Sequence, residues 1–347
     1  MFPNLAKLIK ELFPLHRNPI AVRRRPNHTE IQQTLIALGL ADFLALDTPP
    51  REMLLAPILP ERSLAMLYAP RGIGKSWLSL SMGLAIASGQ DLMRWEAPRQ
   101  RNVLYVDGEM PLVALQERLK LISTGLGDPI PNERFRVLAA DHVPFGALNL
   151  CGDEGQRGLE PLLHDTDLLI VDNLSTLCTT GSESASDAWV PMQNWLLKLR
   201  RQGVSVLLVH HAGVNGRQRG TSRREDALDT VIALRRPEDY SPEEGARFEV
   251  HFEKLRNRAD GVGALPFEAS IQGNGDEAIS WTHRDLKPRL LTQAAELFSE
   301  GLTVREVAAT LRISKSEAGR LRLRASNDGL ITPDEPQEFN GHQITVQ

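Results

Sequence analysis

Short, wholly apolar runs recur along the middle of the chain, separated by stretches in which apolar residues return every three or four positions. The runs are LAMLYA (64–69), NVLYVD (102–107), DLLIVD (167–172), VSVLLVHH (204–211) and DTVIALRR (229–236). Strands with no polar side are buried on both faces, which predicts a mostly parallel sheet covered by helices on each side. After Arg236 the texture changes. RFEVHFEKLRN (247–257), LPFEASIQG (265–273) and AISWTHR (278–284) predict antiparallel strands that finish the same sheet. The fold class expected is α/β.

Two smaller units flank this core. LAKLIKELF and HTEIQQTLIALGLADFLAL have helical spacing around a basic break, RRRPN, and predict a helical arm over residues 1–50. The proline-rich DTPPREMLLAPILPERS reads as a linker into a core spanning 51–286. Residues 287–347 predict a winged helix-turn-helix. One helix covers about Leu291 to Ser299, and Thr303 with Glu306 forms a capping box for the next. A second helix begins after Ser314, and GLITPDE with HQITVQ supplies the wing. As a DNA reader this unit would use Lys315, Arg320, Arg322 and Arg324. Units of this kind also dock proteins, and Glu317 and Asp328 dilute the basic patch.

The most specific chemistry follows the first strand of the core. Ala69-Pro70-Arg71-Gly72-Ile73-Gly74-Lys75-Ser76, with Trp77 opening the helix, has the Walker A form with alanine in first place. Gly72 and Gly74 let backbone N–H groups turn inward around phosphate oxygens. The helix N-terminus adds its dipole, Lys75 reaches the outer phosphates, and the Ser76 hydroxyl ligates magnesium. ATP and Mg2+ are the expected cofactors. LLIVDN (168–173) then falls where the second motif should be and delivers Asp172, the Walker B aspartate, which would hold magnesium through water. The next residue is Asn173, which cannot take a proton, so a base has to come from elsewhere.

NVLYVDGEMP supplies one. It ends in Asp107-Gly108-Glu109, and the carboxyl ends of parallel strands share one edge. Glu109 can thus sit beside the γ-phosphate, and capping of the helix after Pro111 is its other reading. Asp107 is read as structural. At this point the chain resembles the RecA/DnaB group of ATPases, and VDGEM is similar to the segment in which that group carries its catalytic glutamate. That resemblance implies that Glu109 is the general base. The resemblance covers roughly residues 50 to 285.

The resemblance implies further roles. VSVLLVHHAG places His210 and His211 at a strand tip; RepA-like plasmid helicases carry a histidine there, and His210 is the favoured γ-phosphate sensor. Successive strand residues face opposite sides, so the two histidines form no convergent metal pair. GVNGRQRGTSRREDALDTV matches a channel-facing loop. Its Arg217, Arg219, Arg223 and Arg224 would bind the backbone of single-stranded DNA, unless they are only a solvated charge-rich loop. Ser182 to Ser186 is a weaker second channel loop. FEKLRNRADG resembles the K-x-R-N segment of DnaB-type helicases. It implies that Lys254 and Arg256 reach a neighbour's nucleotide in trans, with Arg258 as a substitute.

Composition changes little in this picture. The 347 residues carry 41% hydrophobic and 24% charged residues and a net charge of −4, so no global basic field announces nucleic acid. Cys151 and Cys178 are the two cysteines, too few for a disulfide framework or a Cys-rich zinc site, and they fit a reducing cytoplasm. No secretory signal and no run long enough to span a bilayer is present. The expectation is a cytoplasmic, membrane-free RecA-like ATPase of the RepA/DnaB helicase group. It would form a homo-oligomer, most simply a hexamer, with single-stranded DNA in its channel and duplex DNA at its C-terminal unit. The setting would be replication of a plasmid, phage or other mobile element. An ATP-switched initiator or regulator that binds DNA without unwinding it is the alternative.

Overall fold

The computed structural model describes residues 37–331, apart from 128, 145, 147, 180–188, 214–225, 257–261, 274–276 and 287–289. The chain divides into two compact units, residues 1–50 and 51–347. In the first, the described part is a single short helix, α1 (Leu40–Leu44), whose Leu40, Phe43 and Leu44 are exposed. The rest of the expected arm lies outside the described residues.

The second unit opens with a correction. The expected proline-rich linker is an antiparallel hairpin, β1 (Met53–Leu55) with β2 (Leu59–Pro60), and Leu54, Leu55, Ile58 and Leu59 are fully buried. The prolines bracket two apolar runs rather than dispersing them. Pro57 lies in the turn and Pro60 in a short two-stranded edge, where a missing N–H costs little.

The core then alternates strand and helix. β3 (Leu64–Ala69) leads into α2 (Lys75–Ser88), β4 (Val103–Asp107) into α3 (Leu112–Leu126), and β5 (Phe135–Ala139) into α4 (Asp153–Leu159). β6 (Leu168–Asp172) is followed by the short α5 (Leu174–Leu177), α6 (Trp189–Arg201), β7 (Ser205–His211) and β8 (Thr230–Arg235). β9 (Arg247–Leu255), β10 (Phe267–Gly273) and β11 (Ile279–Asp285) complete a nine-stranded sheet in the order β11-β10-β9-β8-β3-β7-β6-β4-β5. The strands from β5 to β8 in this order are parallel, and the last three are antiparallel. This is the mostly parallel α/β arrangement that the apolar runs predicted.

Alternation along the strands divides the interior in two. Leu67, Val103, Tyr105 and Ile170 face a core shared with α2, α3 and the β1–β2 hairpin. Met66, Leu104, Val106 and Val171 face a second core under α4, α5 and α6. Both faces being buried explains why the strands carry no polar side. Cys151 and Cys178, too few for a framework, are nevertheless joined, with Cα atoms 4.9 Å apart.

The strand order also fixes where a ligand can enter. The chain leaves β3 for β4, and β7 and β6 are inserted between them. At such a reversal the carboxyl ends of the strands open a crevice. Register brings Asp107 opposite Asp172, and Ala69 opposite His211, along that one edge.

Three further helices, α7 (Leu290–Ser299), α8 (Val304–Leu311) and α9 (Lys315–Asn327), enclose a small core of Ala294, Phe298, Val307, Ala308 and Ala318. The Thr303–Glu306 capping box is present, and the Ser314 hydroxyl caps α9 through the Glu317 N–H. Of the expected wing, only residues 329–331 are described, as a turn following α9; the rest lies outside the described residues.

Candidate nucleotide site

The loop between β3 and α2 is shaped by two glycines. Gly72 and Gly74 have φ of 75° and 126°, conformations that exclude most side chains. A Cβ at Gly74 would also lie 2.9 Å from the Phe248 ring. Ile73 is buried and anchors the loop to the core. The Lys75 ammonium folds back to donate to the carbonyl oxygens of Ala69 (3.0 Å) and Pro70 (2.9 Å). Burial lowers its pKa to about 8, although Asp172 and Glu109 nearby pull the other way.

Asp172 ends β6 at 3% exposure. Its Oδ2 accepts from the Tyr105 hydroxyl at 2.5 Å and from Ser79 Oγ at 3.3 Å, and it is also hydrogen-bonded to Ser76. Burial pushes the pKa of Asp172 up, and the three hydroxyls oppose that rise. Among the described residues no cluster of three His, Cys, Asp or Glu could hold a metal alone. The Ser76–Asp172 pair supplies two hard oxygen donors. That suits magnesium, which keeps waters and phosphate oxygens for the remaining positions.

At the end of β4, Asp107 Oδ1 accepts from the Glu109 N–H (3.1 Å) and the Met110 N–H (2.8 Å). This turn presents Glu109, half exposed, to a cavity of about 600 Å³ that Lys75, Ser76 and Asp172 also line. The residue before α3 is Pro111, and no side chain caps that helix, so Glu109 is not its cap. Burial raises the Asp107 pKa to about 6, against those two backbone donors.

Of the two histidines, the cavity is lined by His211 and not by the expected His210. The His211 Nε2 lies 3.5 Å from Glu109 and 3.3 Å from the Asn173 amide. His210 turns to the opposite face, where Nδ1 lies 3.5 Å from Ser175 Oγ. Both were anticipated as facing opposite sides; which one meets the cavity follows from the pairing of β7 with β3. Asn173 itself donates to Glu109 and caps α5.

Two residues on the rim escaped the sequence reading. The Arg236 guanidinium donates to the Gly72 carbonyl at 2.7 Å and stacks 3.7 Å from the Tyr240 ring centre. Pro242, Gly245 and Ala246 line the same side. Arg71 and Trp77, both in the expected loop, also line the cavity, with Arg118 over the Trp77 ring. No motif marks Arg236; only the turn after β8 brings it back to the loop.

The remaining expected residues lie elsewhere. Arg256 donates to the Asp226 carbonyl (2.8 Å) and pairs with Asp229 (3.7 Å), whose other oxygen holds the N–H of Leu64 at the start of β3. Lys254, opposite Val231, is close by. Both are thus at the amino ends of the parallel strands, roughly 20 Å of strand from the phosphate loop. Arg217, Arg219, Arg223, Arg224, Arg258 and Ser182 to Ser186 lie outside the described residues. On α9, Lys315, Arg320 and Arg324 are exposed, while Arg322 lies over the Phe298 ring and Arg324 pairs with Asp328. No described helix is long and apolar enough to cross a membrane.

Residues 30–217 match the model of a family described as AAA domain. Among solved structures, the chain is similar to a KaiC-like protein from Pyrococcus horikoshii (16% identity, 64% of this chain and 91% of that one, TM-score 0.44). It is similar to the RadB recombinase (19%, 65% and 92%, 0.43) and to the flagellar accessory protein FlaH from Methanocaldococcus jannaschii (10%, 65% and 91%, 0.46).

Asp107 gives a stability prediction. Its folded pKa of about 6 is above the ordinary 3.8, so burying the ionised carboxylate destabilises the fold once pH exceeds both values. Asp107→Asn keeps the acceptor for the turn without the charge. In the nucleotide-free protein it should be more stable than wild type by about 2–3 kcal/mol above pH 7. The gain should fade as pH falls from 6 to 4. Urea melts across that range check it; a gain that is absent at pH 8, or unchanged at pH 4, contradicts it.

Proposed function

The chain belongs to the AAA domain family, and from that premise we propose that it is an ATP-driven motor on DNA, a helicase of the RepA/DnaB kind working as a ring. One observation carries the hydrolytic part. The phosphate loop, the Asp172 carboxylate and a glutamate from the neighbouring strand β4 converge on one cavity at one edge of a parallel sheet. That edge is where such sheets take ligands.

In this reading, residues 69–77 hold the phosphates of ATP. Lys75 leaves its two loop carbonyls for the β- and γ-phosphates. Ser76 and Asp172 hold magnesium, which when bound neutralises charge on the phosphate oxygens. Glu109 orients a water in line with the γ-phosphorus. As the water oxygen bonds to phosphorus and the bond to the ADP oxygen breaks, Glu109 takes the water's proton. His211 beside Glu109 replaces His210 as the sensor of the γ-phosphate. In the nucleotide-free protein, burial, with Lys75 nearby, depresses the His211 pKa. Arg236 and Tyr240 flank the base and ribose, since a stacked guanidinium–phenol pair matches a flat purine.

Lys254 and Arg256 cannot serve the pocket of their own chain from the far edge of the sheet. Their distance argues against a role in cis; the trans role rests on the resemblance of FEKLRN to the K-x-R-N segment. The basic loop 214–225 and the C-terminal helices are the proposed DNA contacts, the first to single strands and the second to duplex. The three-helix unit, with α9 presenting Lys315, Arg320 and Arg324, also favours a second reading, a DNA-binding regulator assembled by ATP.

Turnover of ATP with and without single-stranded DNA separates the two. The motor reading expects single strands to raise turnover several-fold and a forked duplex to be opened. Unstimulated turnover with tight binding to one duplex sequence would favour the regulator. The subunit claim has its own test. Arg256→Ala should lose about 10³- to 10⁵-fold in turnover, as removal of a trans arginine does, with ATP affinity retained. Mixing it with Lys75→Ala protein should recover part of the rate, because each variant supplies what the other lacks. Wild-type turnover by Arg256→Ala alone would sink the trans assignment.

A further inference from the structure

Asn173 stands where a different class of ATPase would carry its base, and its side chain is not idle. The carboxamide oxygen accepts from the N–H groups of Ser175 (2.9 Å) and Thr176 (3.3 Å) and so caps α5. Backbone N–H groups can be met only by the oxygen, so the orientation of the amide is settled by chemistry. Its NH2 therefore faces the opposite way, into the nucleotide cavity, where it donates to Glu109 Oε2 and lies 3.3 Å from His211 Nε2.

The helix that Asn173 caps is held firmly against the turn that carries Glu109. The Gly108 N–H donates to the Asp172 carbonyl at 2.7 Å. A Cβ at position 108 would come within 2.6 Å of the Thr176 hydroxyl and 2.5 Å of Leu177, so only glycine lets α5 sit this close. At the far end of α5, the Leu150 N–H donates to the Leu177 carbonyl at 2.7 Å, and Cys178 is joined to Cys151. Glu109, by contrast, is half exposed and has a long side chain with several rotamers to lose.

We propose that Asn173 is a positioning residue for hydrolysis: its amide, aimed by the cap of α5, holds Glu109 Oε2 so that Oε1 meets the attacking water. The proposal rests on Glu109 being the base. It explains an amide at this position: with its oxygen on the N–H groups of α5, its NH2, on the opposite side, still reaches the carboxylate.

Two variants test it. Asn173→Ser keeps a capping oxygen but loses the amide donor. Asn173→Asp keeps cap and size but sets a second carboxylate against Glu109. Full-length protein is assayed for kcat, for the equilibrium Kd of ATP with magnesium, and for thermal stability. The expected result is a kcat lowered about tenfold for Ser and further for Asp, part of the 10²- to 10⁴-fold that a general base is worth, with Kd changed less than about threefold. In a Glu109→Gln background, Asn173→Ser should lower kcat no further, since no base is left to position. A kcat for Asn173→Ser within twofold of wild type overturns the proposal, as does a full additional loss in the Glu109→Gln background. So does a loss confined to Kd and melting temperature, the mark of a cap alone. Glu109→Gln turning over at the wild-type rate would instead bring down the base assignment, and this proposal with it.

Discussion

The Asp172 carboxylate is 3% exposed at the carboxyl end of a central strand, and an ion buried so deeply has to be met by donors from every side. Tyr105 reaches it from β4, Ser76 and Ser79 from the first turns of α2, and Lys75 lies close enough to offset part of its charge. These contacts tie together three elements that are far apart in the sequence. β4 has to lie beside β6, α2 has to start beneath the same edge, and the loop before α2 has to curl back so that its lysine faces inward. The pocket geometry is largely a consequence of satisfying this one group.

The same constraint explains how the chemistry is divided. With both Asp172 oxygens committed to donors and to the expected cation, the residue beside it is free for another task. Asn173 takes up the helix N-terminus and, through its other end, the glutamate delivered by the next strand. The proposed proton acceptor, Glu109, thus comes to the cavity after β4 on a turn built by Asp107, and the amide of Asn173, just past β6, donates to it. Charge stabilisation of the leaving phosphate is proposed to come from a neighbouring chain, on the resemblance of FEKLRN to the K-x-R-N segment; its Lys254 and Arg256 emerge at the opposite edge of the sheet.

The phosphate loop, Asp172 and Glu109 were legible in the sequence because each depends on local pattern: a spacing of glycines, an apolar run ending in an acid, a turn after a strand. What was not legible depends on long-range register. Alternation says that His210 and His211 diverge, but only the pairing of β7 with β3 decides that His211 meets the cavity. Arg236 and Tyr240 belong to a connection with no motif, and their place on the rim exists only once β9 folds back along β8. The residues around Pro57 and Pro60 looked like a linker because proline is a turn former; their apolar neighbours found a core that the local pattern could not display. Asn173 read as a missing base, since its donor role needs the cap of α5 to aim it.

The central claim is that one sheet edge assembles the hydrolytic machinery from β3, β4 and β6, completed by a second subunit. An experimental structure of the assembled protein with magnesium and a non-hydrolysable ATP analogue tests it most directly. The account predicts a metal ion between Ser76 and Asp172. It places the terminal phosphate between Lys75 and Glu109, the purine beside Arg236 and Tyr240, and Arg256 of an adjacent subunit on the γ-phosphate. A nucleotide seated with its γ-phosphate away from Glu109, or a pocket closed without any residue from a neighbour, would contradict it.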